Sequence, residues 1–181
     1  MSIEKKYYND TFQQPIKIDI GCGPWKKEGF LGIDNYLGEG QWNVKEGKPI
    51  DINHDLSKGI PFEDNTVDEV FASHFLEHTD LDFMLQEINR VLKPGGKLEF
   101  IVPYANSAEG MFPGHNVFLT EKFFKHNTAF NHLFKNAHFS YTPSDDWEGF
   151  RKYIFWIPFR IARKHFFNVC RWFTVECRAK K

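Results

Sequence analysis

Two glycines set between acidic residues are the first candidates for chemistry in this sequence of 181 residues. Gly21 and Gly23 follow a short run rich in β-branched residues, 16–20, and glycines there let the backbone turn sharply and let a ligand approach it. Asp19 stands just before the turn and can accept hydrogen bonds from an ammonium group or from backbone N–H groups. Asp34 ends the next apolar run, where acids bind a ribose diol in nucleotide-binding βαβ units. The pattern predicts a site for a ligand that contains a ribose.

The motifs for a dinucleotide and for a nucleoside triphosphate are both incomplete. Lys26 occupies the third glycine position of G-x-G-x-x-G, and the sequence has no G-x-x-x-x-G-K-[ST] loop. A further acid, Asp55, ends the third apolar run. Acids after three strands suit a ligand that has an amino-acid cation, a ribose and an adenine but no pyrophosphate. S-adenosylmethionine has those parts, so we expect it to be the cofactor.

The elements that position these residues alternate between strands and helices. Alternating or β-branched runs predict five strands in the first part of the chain, at residues 16–20, 30–34, 49–55, 67–73 and 97–103. Between the last two, apolar residues at helical spacing predict a helix that begins after Thr79 or Asp80 and ends before Pro94. Between the first two strands, the interval from Gly23 to Phe30 leaves room for about two helical turns at most.

After residue 103 the pattern predicts helices at 119–134 and 153–167, and strands at 138–142 and 172–178. Strands that alternate with helices indicate a mainly parallel sheet. The predicted fold is a doubly wound, Rossmann-like α/β domain with a seven-stranded, mostly parallel sheet, helices on both faces and a shortened first helix. We expect a single domain over residues 1–181, with a polar N-terminal arm at 1–15 and substrate-side elements at 104–170.

Composition argues against several classes of protein. The formal net charge of −1 gives no global attraction to nucleic acid or to an anionic membrane, so we expect no nucleic-acid partner. Three cysteines without a Cys-x-x-Cys pair do not suggest a disulfide framework. The N-terminal residues do not resemble a signal peptide, and no apolar run approaches the roughly 20 residues of a membrane span. We therefore expect a cytoplasmic protein, and the oligomeric state stays open.

Four segments, taken in order, carry a resemblance to a known family. They are IDIGCG at 18–23, GIDN at 32–35, HDLSKGIPFEDNTVDEVFASHFLEH at 54–78 and EINRVLKPGGKLEFIVP at 87–103. Through them about half of the chain resembles class I S-adenosylmethionine-dependent methyltransferases, in particular the small methyltransferase-domain proteins of type 11. The resemblance implies a Rossmann-like fold and transfer of a methyl group from S-adenosylmethionine to an O or N nucleophile. We expect the acceptor to be a small molecule or a sugar or glycan.

The resemblance also implies a cofactor site, which consists of Asp19, Gly21, Cys22, Gly23, Pro24, Asp34, Asn35, Asp55, Leu56, Ser73 and His74. The residues of the glycine turn would line the methionine end, Asp34 would bind the ribose hydroxyls, and Asp55 would accept from the adenine amino group. Ser73 and His74 would face the methionine and its methyl group. Trp25 departs from the family, because many members have a third glycine there. Lys26 or Lys27 could then supply a counter-charge to the methionine carboxylate, or remain solvated.

His74 and His78 belong to a second motif, HFLEH, which matches the H-x-x-E-H pattern of zinc peptidases. That chemistry needs both histidines on one helical face and a third ligand downstream, whereas this motif directly follows a predicted strand. We therefore expect no metal, and a structural role for Glu77 and His78. In the loop after the fifth strand, His115 is the candidate general base, because an imidazole titrates near neutral pH. A loop histidine bonded to the backbone is the alternative.

The segment 151–172 interleaves aromatic and basic residues, and it could contact phosphate or a membrane surface. Because the net charge is near zero, we favour a solvated basic face over an aromatic core. Two other functions stay open beside methyl transfer. One is a non-catalytic module that binds S-adenosylmethionine or S-adenosylhomocysteine, and the other is a nucleotide-dependent oxidoreductase, against which the missing third glycine argues.

Overall fold

The computed structural model describes residues 15–35 and 50–181, so the predicted N-terminal arm lies outside the described residues except for Pro15. Strand-forming segments give β1 (Lys17–Ile20), β2 (Leu31–Asp34), β3 (Ile52–Asn53), β4 (Val67–Ser73), β5 (Leu92–Pro103), β6 (Phe134–Pro143) and β7 (Cys170–Ala179). They form one seven-stranded sheet in the order β3-β2-β1-β4-β5-β7-β6. The first five strands pair in parallel, and β7 runs antiparallel between β5 and β6. The predicted doubly wound α/β fold is confirmed.

The helices of the described residues are α1 (Leu81–Val91), α2 (Glu121–His126), α3 (Thr128–Leu133), α4 (Asp145–Arg151) and α5 (Phe159–His165), with short 3₁₀ helices at Leu56–Lys58 and Leu76–His78. The prediction of α1 is confirmed, including its cap: the Asp80 carboxylate accepts a hydrogen bond from the backbone N–H of Phe83 at 3.1 Å. None of the helices in these ranges has the length and apolarity needed to cross a lipid bilayer.

The middle of the sheet is the core of the protein. Ile18 and Ile20 of β1 and Phe100 and Val102 of β5 are fully buried, as expected for central strands that are covered on both faces. The buried apolar residues of α1 belong to the same cluster. Because β1 to β4 are parallel, their carboxyl ends lie along one edge of the sheet, and the polar residues that follow these strands are collected there.

Two predicted helices are broken in the structure. The helix expected at 119–134 is divided into α2 and α3 at Asn127, whose side chain accepts from the N–H of Phe130 at 2.7 Å and so begins a second helix. The helix expected at 153–167 is shorter and begins after Pro158, because proline fits the start of a helix better than its interior. Ahead of it, Ser144 caps α4, which the apolar spacing did not predict.

The expectation of an aromatic core under the basic face of residues 151–172 is wrong for much of that segment. Phe155 and Trp156 are 81% and 71% exposed. Arg163, by contrast, is buried and donates to the Glu121 carboxylate at 3.0 Å, and its guanidinium carbon lies 3.9 Å from the ring centre of Tyr141. One basic residue of the segment therefore belongs to the interior, while several aromatic residues lie on the surface.

β6 is the last strand of the described sheet on the β7 side, and its ladder is interrupted. The register with β7 shifts between Lys135 and His138, and Asn136 has a φ of +58°. Asparagine tolerates this left-handed conformation better than most residues, so the irregularity is a local bulge that the sequence supports.

Candidate functional site

The turn between β1 and β2 forms the floor of the candidate site. Residues 21–30 form turns and no helix, so the first helix, which we expected to be short, does not form in this interval. Two carboxylates hold this turn: Asp19 accepts from the N–H of Lys27 at 2.7 Å, and Asp34 accepts from the N–H of Gly23 at 2.8 Å. The ammonium of Lys27 also lies 3.9 Å from the ring centre of Phe71. Polar and cation–π contacts therefore replace the helix as the support of the glycine turn.

Lys26 and Lys27 are both paired with acids rather than left in solvent. The ammonium of Lys26 lies 2.7 Å from the carboxylate of Asp51, and that of Lys27 lies 3.1 Å from Glu99. Each lysine thus ties the turn to a neighbouring strand or loop. Their charges are already matched by carboxylates within the protein.

Asp19 is buried at the end of β1, and its two carboxylate oxygens differ. Oδ2 bonds Lys27 N, whereas Oδ1 is buried and has no hydrogen-bond partner in the described parts of the chain. Burial raises the pKa of Asp19 to about 6, against the opposing effects of the Lys27 hydrogen bond and charge. A buried carboxylate oxygen without a partner is a suitable acceptor for a ligand cation.

Gly21 and Gly23 have different surroundings, although both have a positive φ, +65° and +50°. A Cβ placed on Gly21 would lie 2.1 Å from Cδ2 and 2.8 Å from Cβ of Phe75, so this side chain rests directly on the glycine. A Cβ on Gly23 would meet nothing within 4 Å. The close approach that we expected from a ligand at Gly21 is made by Phe75.

A cavity of about 410 Å³ lies between the carboxyl ends of β2 and β3 and the chain that follows β4. Four residues of the predicted cofactor site line it, namely Asp34, Asn35, Asp55 and Leu56. Phe75 and His78 are among the residues that form the opposite wall. The volume lies within the range of small-molecule and cofactor pockets.

The other predicted cofactor residues do not line this cavity: Asp19, Gly21, Cys22, Gly23, Pro24, Ser73 and His74. Phe75 contacts both regions, because it lies on Gly21 and also forms part of the cavity wall. The Cys22 side chain is buried, and burial raises the pKa of its thiol to about 12. The structure thus separates the predicted site into a part at β2 and β3 that lines the cavity and a part around the glycine turn that does not.

Asp55 has a structural contact as well as a position on the cavity. Its carboxylate accepts from the N–H and the hydroxyl of Ser57, at 3.1 and 2.7 Å, and so begins the short helix Leu56–Lys58. These hydrogen bonds, with that of Lys58, lower the pKa of Asp55 to about 2. The carboxylate therefore stays ionised and remains an acceptor at neutral pH.

His115 does not line this candidate cofactor cavity but contacts the HFLEH segment. Its ring centre lies 4.8 Å from that of His78, and its Nδ1 lies 3.1 Å from the carbonyl oxygen of Gly110. Glu77 and His78 belong to the 3₁₀ helix Leu76–His78, which follows β4 after His74 and Phe75. The sequence did not predict that His115 lies beside the HFLEH motif. It also did not predict a role for Phe75 in the site, because the only signal in the sequence is the position of Phe75 just after a strand end.

The order of the sheet and this cavity at its carboxyl edge define a class of protein. Across the chain, the fold matches a SAM-dependent methyltransferase of Archaeoglobus fulgidus, with a TM-score of 0.61 and 18% identity over 94% of this chain and 89% of that chain. It also matches an N-methyltransferase of Haemonchus contortus solved with S-adenosylhomocysteine, with a TM-score of 0.58 and 16% identity over 91% of this chain and 48% of that chain. These likenesses show that the chain has the fold of these S-adenosylmethionine-dependent methyltransferases.

The sequence comparisons agree with this class over part of the chain. Residues 35–100 match the family model described as a methyltransferase domain. A demethylmenaquinone methyltransferase of Staphylococcus saprophyticus is 38% identical over 72 residues, which are 38% of this chain and 31% of that protein. The match thus spans about a third of the length of the curated relative. The resemblance seen in the sequence is confirmed at the level of the domain class.

Proposed function

We propose that the protein is an S-adenosylmethionine-dependent methyltransferase that acts on an O or N nucleophile of a small-molecule or sugar or glycan acceptor. The observation that carries the proposal is the cavity at the carboxyl ends of parallel strands, which Asp34, Asn35, Asp55 and Leu56 line together. These residues come from two separate strand ends; the residue pattern selected Asp34 and Asp55, and the family resemblance implied Asn35 and Leu56. A neighbour with the same fold that was solved with S-adenosylhomocysteine supports the choice of cofactor.

The residues present fit this cofactor in two respects. Asp34 and Asp55 supply carboxylate oxygens at the cavity, which suit ribose hydroxyls and an adenine amino group. Asp19 supplies a buried carboxylate oxygen without a partner among the described residues, which suits an amino-acid ammonium. Phe75 would have to turn away from Gly21 for the methionine end to reach that turn.

The cofactor, when bound, supplies a methyl group on a sulfonium that is already activated for displacement. Held by Asp19, Asp34 and Asp55, it would pass this methyl group to the acceptor oxygen or nitrogen as its C–S bond breaks, and S-adenosylhomocysteine would be the product. The chain has to hold the two reactants in line and exclude water, and these effects can supply most of the acceleration. Ser73 and His74 would face the methyl group, residues 104–170 would contact the acceptor, and His115 stays a candidate for accepting the acceptor's proton.

Two alternatives predict different ligands. A non-catalytic module would bind S-adenosylhomocysteine without turnover. A nucleotide-dependent oxidoreductase would need a pyrophosphate site, but Lys26 stands at the third glycine position, and residues 21–30 provide no helix N-terminus for a phosphate. The structure therefore favours the adenosine and amino-acid ligand over a dinucleotide. The cytoplasmic location and the lack of a nucleic-acid partner stay predictions.

Calorimetry with S-adenosylhomocysteine tests the proposed site. We expect Asp34→Ala to weaken binding more than about tenfold, because it removes a charged hydrogen-bond acceptor from the cavity. Asp51→Ala is the matched control: Asp51 also bonds the turn region, accepting from Gly32 N at 2.7 Å, but it does not line the cavity. An equal effect of both variants, or no effect of Asp34→Ala, would contradict the ribose role.

A screen of acceptors with labelled S-adenosylmethionine tests the reaction. Methyl transfer to a small molecule or glycan supports the proposal, and His115→Ala should then slow turnover without a change in cofactor affinity. Binding without transfer to any acceptor would favour the non-catalytic module. Thermal stabilisation by NAD, with none by S-adenosylhomocysteine, would favour the oxidoreductase.

A further inference from the structure

Two neighbouring side chains and a third that is distant in the sequence come together beside the candidate cofactor cavity. Glu77 and His78 lie in the 3₁₀ helix after β4, and His115 lies in the loop after β5. One ligand atom from each lies within 4.8 Å of the other two. Asn116 fixes the loop to the helix, because its backbone N–H and its side-chain amide donate to the carbonyl oxygens of Glu77 and His78, both at 2.7 Å. The cluster is therefore held by the fold rather than by a chance approach of side chains.

Glu77 gives the strongest indication that the cluster binds a cation. It is 1% exposed, and neither carboxylate oxygen has a hydrogen-bond partner in residues 15–35 or 50–181. The His74 ring lies beside it, with Nδ1 3.4 Å from Oε1, and this contact can offset the charge only when His74 is protonated. Burying a carboxylate without partners is costly, and a bound cation would remove that cost.

Both histidines present a nitrogen lone pair that could serve as a ligand. His78 Nδ1 lies 3.1 Å from the carbonyl oxygen of Gly114, and His115 Nδ1 lies 3.1 Å from that of Gly110. A carbonyl oxygen only accepts, so each neutral ring carries its hydrogen on Nδ1 and keeps the lone pair on Nε2. A backbone carbonyl that orients the second nitrogen is also the usual support of a metal-bound histidine.

We propose that Glu77, His78 and His115 bind one divalent transition-metal ion of the Zn²⁺ class. Two imidazoles and one carboxylate suit zinc, whereas Mg²⁺ and Ca²⁺ prefer oxygen ligands alone. One ligand atom from each side chain already lies within 4.8 Å of the others, so modest side-chain rotations would bring the three to the spacing of tetrahedral zinc ligands, about 3.4 Å. Three protein ligands leave a fourth position for water or for an oxygen of another molecule.

The position of the site gives it a use in the proposed reaction, and this step rests on the proposed function. His78 also lines the candidate cofactor cavity, so a metal held by these three side chains would lie at the cavity wall, where an acceptor oxygen could take the fourth position. An acceptor hydroxyl bound there would have a lowered pKa and would release its proton to solvent before the methyl transfer. His115 would then act by holding the metal rather than by taking the proton itself.

Titration calorimetry with Zn²⁺ on the untagged, chelator-treated full chain tests the site. We expect one zinc ion per chain, and we expect His78→Ala and His115→Ala each to weaken binding by about tenfold or more. His132→Ala is the matched control, because His132 is an exposed histidine of α3 outside the cluster, and it should bind zinc as the unaltered chain does. Mg²⁺ should give no comparable signal.

Further measurements keep the result clear if an alanine variant folds poorly. Glu77→Gln keeps the shape of the buried side chain, loses its charge and should also weaken zinc binding by about tenfold or more. Co²⁺ should give the visible absorption of a tetrahedral site in the unaltered chain and lose it in that variant. No stoichiometric zinc binding, or equal binding by the cluster variants and the control, would overturn the proposal. S-adenosylhomocysteine binding is measured separately, so failure of the cofactor site and failure of the metal site are distinguishable.

Discussion

The contact between Gly21 and Phe75 predicts that two glycines with positive φ respond differently to alanine. Gly21 has a φ of +65° and Gly29 a φ of +78°, so alanine at either position incurs about 1–2 kcal/mol for the left-handed conformation. Only at Gly21 would the new Cβ meet another residue, at 2.1 Å from Cδ2 of Phe75. Overpacking of this kind adds about 1–3 kcal/mol. We therefore expect Gly21→Ala to lower the free energy of unfolding by about 2–5 kcal/mol, and Gly29→Ala by about 1–2 kcal/mol.

Rotation of Phe75 cannot remove this overlap completely. One of the short contacts, at 2.8 Å, is to the Cβ of Phe75, which does not move when χ1 turns, so the backbone itself has to shift. Urea unfolding followed by tryptophan fluorescence gives both free energies, and equal slopes against urea would show that the same transition is compared. If Gly21→Ala is no more destabilising than Gly29→Ala, the close packing of Phe75 on the turn is refuted.

Two further predictions concern buried charges. Because burial raises the pKa of Asp19 from 3.8 to about 6, the folded state binds the proton more tightly than the unfolded state, so the free energy of unfolding should fall by up to about 3 kcal/mol as the pH rises from about 4 to above 6. Asp19→Asn should remove this fall in pH-dependent urea unfolding, and an unchanged pH profile would contradict the burial of the ionised group. Arg163→Ala should destabilise the fold by about 3–5 kcal/mol because it leaves the Glu121 carboxylate buried without its ion pair. The exposed Arg160 of the same helix is the control, and Arg160→Ala should change thermal or urea stability by less than about 0.5 kcal/mol, so equal effects would argue against the buried pair.

The sequence predicted the elements whose signals are local. β4 has the predicted limits, Val67–Ser73, because an alternating run lies between clear turn residues, and α1 begins after the predicted cap at Asp80. The helices after residue 103 were less predictable, since apolar residues at helical spacing continue across Asn127 and Pro158. At Asn127 a side-chain cap interrupts the helix, and at Pro158 a proline does so. Each of these effects is stronger than the apolar pattern.

The candidate site was predictable as far as it depends on strand ends. Asp34 and Asp55 could be placed at the carboxyl edge of a parallel sheet from sequence alone, and both line the cavity. Phe75 and His115 could not be placed, because their contacts with Gly21 and His78 cross large separations in the chain that no local pattern encodes. From sequence alone, the HFLEH motif therefore had no identifiable third ligand. In the structure, the loop after β5 brings His115 next to Glu77 and His78.

The bulge in β6 has a consequence for solubility. A ten-residue strand at the margin of a sheet presents backbone donors and acceptors that a second copy of the chain could pair with. Here the left-handed Asn136 interrupts the regular ladder, Lys135 places a charge next to it, and Pro143 removes a donor at the far end. In the described part of the sheet these three residues limit the regular run of β6 to 138–142, and we expect this to disfavour intermolecular strand pairing.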